Sequence, residues 1–567
     1  MRPFLVTEPQ AGKLPRWGLL LLCALYVLPG FIGRDPWRQA DASGFGIALT
    51  MARGPGSDWL MPNIAGERIA EDGPFPFWVG AAAARIAPFL SEHVMVRAAT
   101  MAMLVLAFVA LWYAVYALAR RPGVLPADPF GATASRVDFG RAIADSALLV
   151  LMATIGLIAG VHETTGDVAQ LMLSAIFLHG AATALERPGR GALTAGLAIG
   201  ISVATRGLAP AGVLLATVLA LPMVSPQYRL VARRWLPGTL LVAVCAGLVW
   251  PLALNVSGPA GQAHLLAWLH ANRAGLGIPT ADGLAYWART LPWFFWPAWP
   301  MAIWALSRWR GRLTEPALAL PVIHLVTASV AALASASPDE ASMMPAALPV
   351  AMLAAIGLPT LRRSVVSLID WFAVMTYSVI GLVVWAYWIA FVTGFPPKMA
   401  YRASRIAPGF EPGWLSIDIV LGLLATAAWV LLVRWRISRH PPMIWRAVVL
   451  SCGGLVLAWF LLMTLWLPAF NQRNTYREVS QRVAAALEPG YDCVSARFLG
   501  RAQRATLFYF GGLRFGAPDQ RCGWLLVQDE GPVARTPAGP EPGWKLRWED
   551  GRLRDPDERL RLYRRAD

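Results

Sequence analysis

Long apolar runs separated by short polar joints fill most of the first 467 positions of the chain. A membrane span needs about 20 mostly apolar residues to cross ~30 Å of hydrocarbon. Thirteen stretches fit that pattern: 17–33, 92–119, 141–160, 167–185, 191–205, 208–223, 236–254, 291–307, 316–334, 344–360, 368–392, 415–433 and 444–467. Beyond them the long runs stop. The tail predicts a helix over Tyr476–Leu487, a strand over Cys493–Ala496, a second strand over Thr506–Phe510 and a turn at Gly511–Gly512. An apolar strand around Trp524–Gln528 follows, and the charge-dense Glu549–Asp567 is expected to be loosely ordered. The predicted architecture is an all-α polytopic membrane body (1–467) of about 13 transmembrane helices, with a small α/β domain (468–567) outside the membrane.

The polar breaks carry the candidate chemistry. The largest is the first external loop (33–91), which holds Asp35, Asp41, Glu67, Glu71 and Asp72 just outside the first span. Within it, Ile47–Ala52 and Phe75–Ile86 suit helices lying along the interface, with Trp59, Phe75, Phe77 and Trp78 at headgroup depth. Three more segments open on the same face. Val161–Asp167 carries His162, Glu163 and Asp167. Asn255–Thr290 carries His264, His270, Arg273, Tyr286 and Trp287, and Ser335–Ser342 carries Asp339 and Glu340.

Composition and charge narrow the class. With 56% hydrophobic and 15% charged residues, and a mean hydropathy of +0.49, a soluble globular protein is excluded. Arginine clusters such as Arg120–Arg121, Arg229 with Arg233 and Arg234, and Arg434 with Arg436 all fall on one side under the thirteen-span reading. Positive residues stay inside, so the N-terminus is expected to be cytoplasmic and the C-terminal domain to lie outside. The same rule accounts for the net charge of +16, so no nucleic-acid partner is inferred. The first span reads as a signal anchor, not a cleaved signal peptide. Cys23, Cys245 and Cys452 sit within spans. Cys493 and Cys522 lie in the external tail, where they form either a disulfide worth roughly 3 kcal/mol or a pair of reduced core thiols. No Cys/His metal spacing occurs, so no metal ligands are assigned and metal dependence stays open, and no cofactor is expected.

Two segments of the first loop, PWRQADASGFGIALTM and DWLMPNIAGERIAEDGPFPFW, resemble the corresponding loop of GT-C glycosyltransferases. The nearest subfamily is the bacterial aminoarabinose transferases that modify lipid A, related to protein O-mannosyltransferases. The matching order runs from Trp37 and Asp41 through Asp58–Trp59, Pro62 and Gly66 to Glu71-Asp72-Gly73-Pro74 and Trp78. The resemblance implies an inverting transfer of a sugar from a polyprenyl phosphate to a glycolipid, glycan or protein, among membrane lipids. By position it implies Asp41 as the catalytic carboxylate and Glu71 as a second one. It also implies Asp167 in support, and His270 and Arg273 near the donor phosphate. External arginines that suit a phosphate by charge-assisted hydrogen bonds are Arg273, Arg206, Arg68 and Arg53.

The chain departs from the family pattern in three places. The usual Asp-Glu pair reads Asp41-Ala42, the usual Glu-Lys reads Glu71-Asp72, and the later basic motif appears only as Asp339–Pro345 without a base. If the acceptor is a phosphate, Asp41 positions it; if it is a neutral hydroxyl, Asp41 takes its proton. The missing cations tilt the reading toward a hydroxyl, or toward a different phosphate geometry. Two other classes remain in play: a lipid or glycolipid transporter, which would place charged residues at mid-span, and a non-catalytic envelope scaffold.

Overall fold

The computed structural model describes residues 6–124, 134–411, 417–438, 443–517, 520–530, 543–552 and 558–566. The predicted positions 415–416 and the segment 553–557 lie outside them. Every predicted apolar stretch overlaps a helix, and 141–160 and 291–307 each overlap two. Eight of the described helices are long and apolar enough to cross a membrane. The expected thirteen are not reached, for local reasons. Arg16–Val27 and Leu208–Val224 are apolar but short, and Arg136–Ala153 carries Asp138, Arg141 and Asp145. The 291–307 stretch is broken at Pro297 into two helices, Ala281–Phe294 and Ala298–Arg308.

The first external loop folds back onto the helix ends. It forms a helix, Gln39–Arg53, then a hairpin of β1 (Asn63–Ile64) and β2 (Glu67–Arg68), then a second helix, Phe75–Ile86. Its two Trp signposts are structural. Trp37 donates to Asn471 Oδ1 at 3.1 Å, and the Trp78 indole donates to the Trp59 carbonyl.

The C-terminal region is an α/β domain, as the tail pattern predicts, with two corrections. Its sheet has the order β3 (Val494–Arg497), β4 (Trp524–Glu530), β6 (Glu558–Arg565), β5 (Trp544–Asp550), with β3 parallel to β4 and the rest antiparallel. Residues 506–510, expected as a strand, form the second half of the Arg501–Phe510 helix. The charge-dense end, expected to be loose, supplies the last two residues of β5 and the whole of β6, and β6 is an inner strand. Leu560 and Leu562 enter the domain core, while Arg561, 1% exposed, pairs with Asp529 on β4 and Glu549 on β5. Cys493 and Cys522, just ahead of the paired strands β3 and β4, are joined by a disulfide with Cα atoms 5.1 Å apart.

The domain docks on the first loop through the Arg501–Phe510 helix, which packs on Gln39–Arg53. Gly46 makes that approach possible: a Cβ there would stand 2.5 Å from the Ala505 Cβ. Arg504 clamps the contact, donating to the carbonyls of Ile64 and Ala65 at 2.9 Å each. Asp35 adds a tether, accepting from Arg477 Nη2 at 2.7 Å and Thr475 Oγ1 at 2.8 Å.

Candidate functional site

Three pieces distant in sequence enclose one cavity of about 490 Å³ outside the spans. The Gln39–Arg53 helix gives one wall, through Gln39, Ala40, Ser43 and Gly44. The turn at Asp72 and the helix ends carrying Asp167 and Arg206 give the second. The C-terminal domain closes it with Gly500, Arg501 and Gln503, and Asp339 stands at the edge.

At its centre is an acid–base–acid chain. Arg206 ends the Pro188–Arg206 helix, and Asp167 lies in the first turn of Gly166–Ala184. Arg206 Nη1 donates to Asp72 Oδ1 at 2.7 Å, and its Nε reaches Asp167 Oδ1 at 2.9 Å. Asp72 is delivered to that position by its neighbour. The Gly73 N–H donates to the Thr205 carbonyl at 2.9 Å, so close to the helix that a Cβ on Gly73 would lie 2.2 Å from the Ala204 carbonyl carbon. A guanidinium held between two carboxylates is fixed in orientation.

Asp41 occupies a different place from the one the sequence suggests. It is completely buried and is not among the cavity-lining residues, whereas its neighbour Ala40 is. Its Oδ2 accepts from Arg97 Nη2 at 2.6 Å and from Arg34 Nη2 at 3.1 Å, and its Oδ1 accepts from the Thr164 N–H at 2.8 Å. Burial raises the Asp41 pKa, but the Arg97 and Arg34 guanidiniums and the Thr164 amide outweigh it and hold the carboxyl well below the usual carboxylate range. The charge therefore persists, and it ties the loop helix to the Glu92–Ala119 helix and to the 161–165 turn. His162 in that turn is packed against Phe31 and Trp459 and is pushed down to about 4 by burial.

The remaining expected residues are spread out. Glu71 sits at the rim, where Arg501 Nη2 donates to it at 2.8 Å. Partial burial raises its pKa, but the Arg501 hydrogen bond and charge bring it below the ordinary value. Arg68 is exposed on β2, and His270 and Arg273 are exposed on the Pro259–Ala274 helix; none of the three lines the cavity. Arg53 binds Glu92 through two hydrogen bonds of 2.7 Å.

Two groups of site residues escape a reading of the sequence. Arg501 and Gln503 lie in a domain more than 400 positions from the loop, ahead of a stretch that reads as a strand. Arg97 and Arg34 are the partners of Asp41. Arg97 does leave a signal, since an arginine within an otherwise apolar span is costly without a partner.

No family model matches the chain, and no curated protein matches it in sequence. Solved structures do. ArnT from Cupriavidus metallidurans bound to undecaprenyl phosphate superposes with a TM-score of 0.69 and 15% identity, covering 97% of this chain and 98% of that one. The same protein in its apo state gives 0.66 and 14%, covering 96% and 97%. Over nearly the whole of both chains, therefore, this protein shares the fold of ArnT.

Proposed function

We propose that the chain is an inverting glycosyltransferase of the inner membrane. It moves a sugar from a polyprenyl-phosphate donor to an acceptor at the outer, periplasmic face. The observation that carries this reading is the Asp72–Arg206–Asp167 chain in a 490 Å³ cavity at the membrane boundary, on an ArnT-like fold. The ArnT structure holds undecaprenyl phosphate, and a lipid-linked sugar phosphate suits a cavity whose lining faces both spans and periplasmic domain.

In this account the acceptor oxygen attacks the anomeric carbon as the bond from that carbon to the phosphate oxygen breaks. The acceptor proton passes to Asp167, and the electron pair leaves with the polyprenyl phosphate. Arg206 and Arg501 face the cavity and stabilise the departing anion, in place of Arg273 and His270. Asp72 orients the acceptor, Glu71 holds Arg501, and Asp41 positions the loop instead of taking the proton. Three carboxylates (Asp72, Asp167 and Asp339) line the cavity beside two arginines that already have acidic partners. That balance disfavours a phosphate acceptor and favours a neutral hydroxyl on a glycan or glycolipid.

Membranes carrying the chain, supplied with a radiolabelled sugar on polyprenyl phosphate, are expected to yield a labelled glycan or glycolipid. Mass spectrometry should find that product missing when the chain is absent. No product from the wild-type chain, across several donor sugars, would remove the enzyme reading and favour a glycolipid transporter or a scaffold.

A further inference from the structure

The opposite end of the helix bundle holds a second polar cavity that the transfer chemistry does not use. The Arg446–Thr464 helix links the two ends. Near its C-terminal end the Trp459 indole donates to the Pro29 carbonyl at 2.8 Å, next to the first loop. Its N-terminal end lies against a cavity of about 550 Å³ lined by Arg363, Asp370, Arg436 and Arg446, with Ser367 and Gln10. Three guanidiniums face one carboxylate there. Asp370 and Arg436 form an ion pair, yet Asp370 Oδ1 and Arg436 Nε are buried without a hydrogen-bond partner. The Arg446 guanidinium stacks on Trp435, 4.5 Å from the ring centre, and is only 2% exposed. A cavity lined by three guanidiniums against one carboxylate, with the Arg436 Nε donor unfilled among the described residues, suits a phosphate.

Directly along the same helices runs an apolar groove of about 540 Å³. The Arg363–Thr393 and Ile417–Ser438 helices each pack on Arg446–Thr464 and are bridged to each other by side chains. Trp429 donates to Ser378 at 3.1 Å, and Trp385 donates to Thr426 at 2.9 Å. Tyr377, Gly381 and Trp385 line the groove. They lie on the same helix face as Arg363, Ser367 and Asp370 of the polar cavity, the step from Asp370 to Tyr377 being seven residues, or about two turns. Arg434 lines the groove as well. A charged pocket and an apolar furrow, one after the other on one helix face, match the two parts of a single lipid molecule.

We infer that this face binds an anionic phospholipid of the leaflet opposite the transfer cavity. Its phosphate sits among Arg363, Arg436 and Arg446, and one acyl chain lies in the groove past Gly381. Charge complementarity selects the headgroup, and the length of groove beyond the cations selects a lipid over a free phosphate ester.

Native mass spectrometry of the delipidated full chain tests this, with phosphatidylglycerol, phosphatidylcholine and soluble glycerol 3-phosphate as probes. Phosphatidylglycerol is expected to bind on the order of fivefold or more above phosphatidylcholine, with glycerol 3-phosphate failing to displace it. Two variants disturb no ion pair among the described residues: Arg363→Gln, and Gly381→Leu, at a position where an added Cβ has side-chain neighbours no nearer than 3.8 Å. Each should lower phosphatidylglycerol retention several-fold while the thermal transition of the lipid-free protein stays in place. Arg190→Gln, in a different arginine cluster, should leave retention unchanged. Equal binding of the two lipids would overturn the inference, as would full retention in both variants or displacement by glycerol 3-phosphate.

Discussion

Replacing Arg97 by methionine is expected to destabilise the protein by up to about 3–5 kcal/mol, the range for breaking a buried ion pair, with Arg34 left as the second cation on Asp41. Arg97 is 2% exposed and Asp41 fully buried, so water cannot replace the lost hydrogen bond of 2.6 Å. Arg97 also donates to the Phe31 carbonyl at 3.2 Å and to the Arg34 carbonyl, so the variant also loosens the start of the first loop. Chemical unfolding in detergent, with intrinsic tryptophan fluorescence as the signal, measures the effect. The same cluster sets an acid limit. The Asp41 pKa is lower in the folded chain than the ordinary carboxylate value. Its stabilisation is therefore complete above about pH 4 and is lost as the pH falls through the folded value. In Arg97→Met that part of the acid dependence should weaken. A variant as stable as wild type would mean that the loop is anchored elsewhere.

The second large effect is expected in catalysis. Arg206→Gln should cut sugar transfer by about 10²–10³-fold, the range found when one preorganised donor to a developing anion is removed. The stability change should be small by comparison, because Arg206 is partly solvent-facing, with 31% of its side chain exposed. The substitution removes the cation that faces the leaving phosphate. It also sets Asp72 and Asp167 across from each other without the charge between them. A turnover assay with labelled donor reads the loss, and it should appear in kcat more than in KM, since the leaving charge develops only in the transition state. Wild-type turnover in Arg206→Gln would take Arg206 out of the mechanism.

Much of this was legible in the sequence, and the failures have physical causes. Apolar run length located all eight of the described helices that are long and apolar enough to cross a membrane, because lipid requires each backbone to satisfy its own hydrogen bonds. It could not decide which helices cross, since Asp138, Arg141 and Asp145 ride on a helix that neighbours cover. The order of elements in the first loop identified the region of the site. It did not identify which carboxylate faces the cavity, because Ala40 and Asp41 point in different directions from one turn of helix, and the difference lies in Arg34 and Arg97. Asp72, which reads as a charge reversal, turns out to be the partner of Arg206. Charge density at the C-terminus suggested solvent, yet Leu560 and Leu562 alternate with Arg559 and Arg561, and Arg561 finds acids on both neighbouring strands. The Thr506–Phe510 run favours a strand by local preference. Its place between the sheet and the loop helix makes it helical, with Leu507 in the domain core and Ala505 against Gly46.

The division of labour between the two aspartates is the central claim, and one paired measurement tests it. Purified Asp167→Asn and Asp41→Asn proteins would be compared with wild type in single-turnover transfer from a labelled polyprenyl-phosphate sugar, with unfolding followed on the same samples. Asp167→Asn should lose about 10²–10⁴-fold in transfer rate while unfolding close to wild type. Asp41→Asn should unfold far more easily, yet retain transfer in the fraction that stays folded. Wild-type transfer by Asp167→Asn, with none from folded Asp41→Asn, would contradict the account.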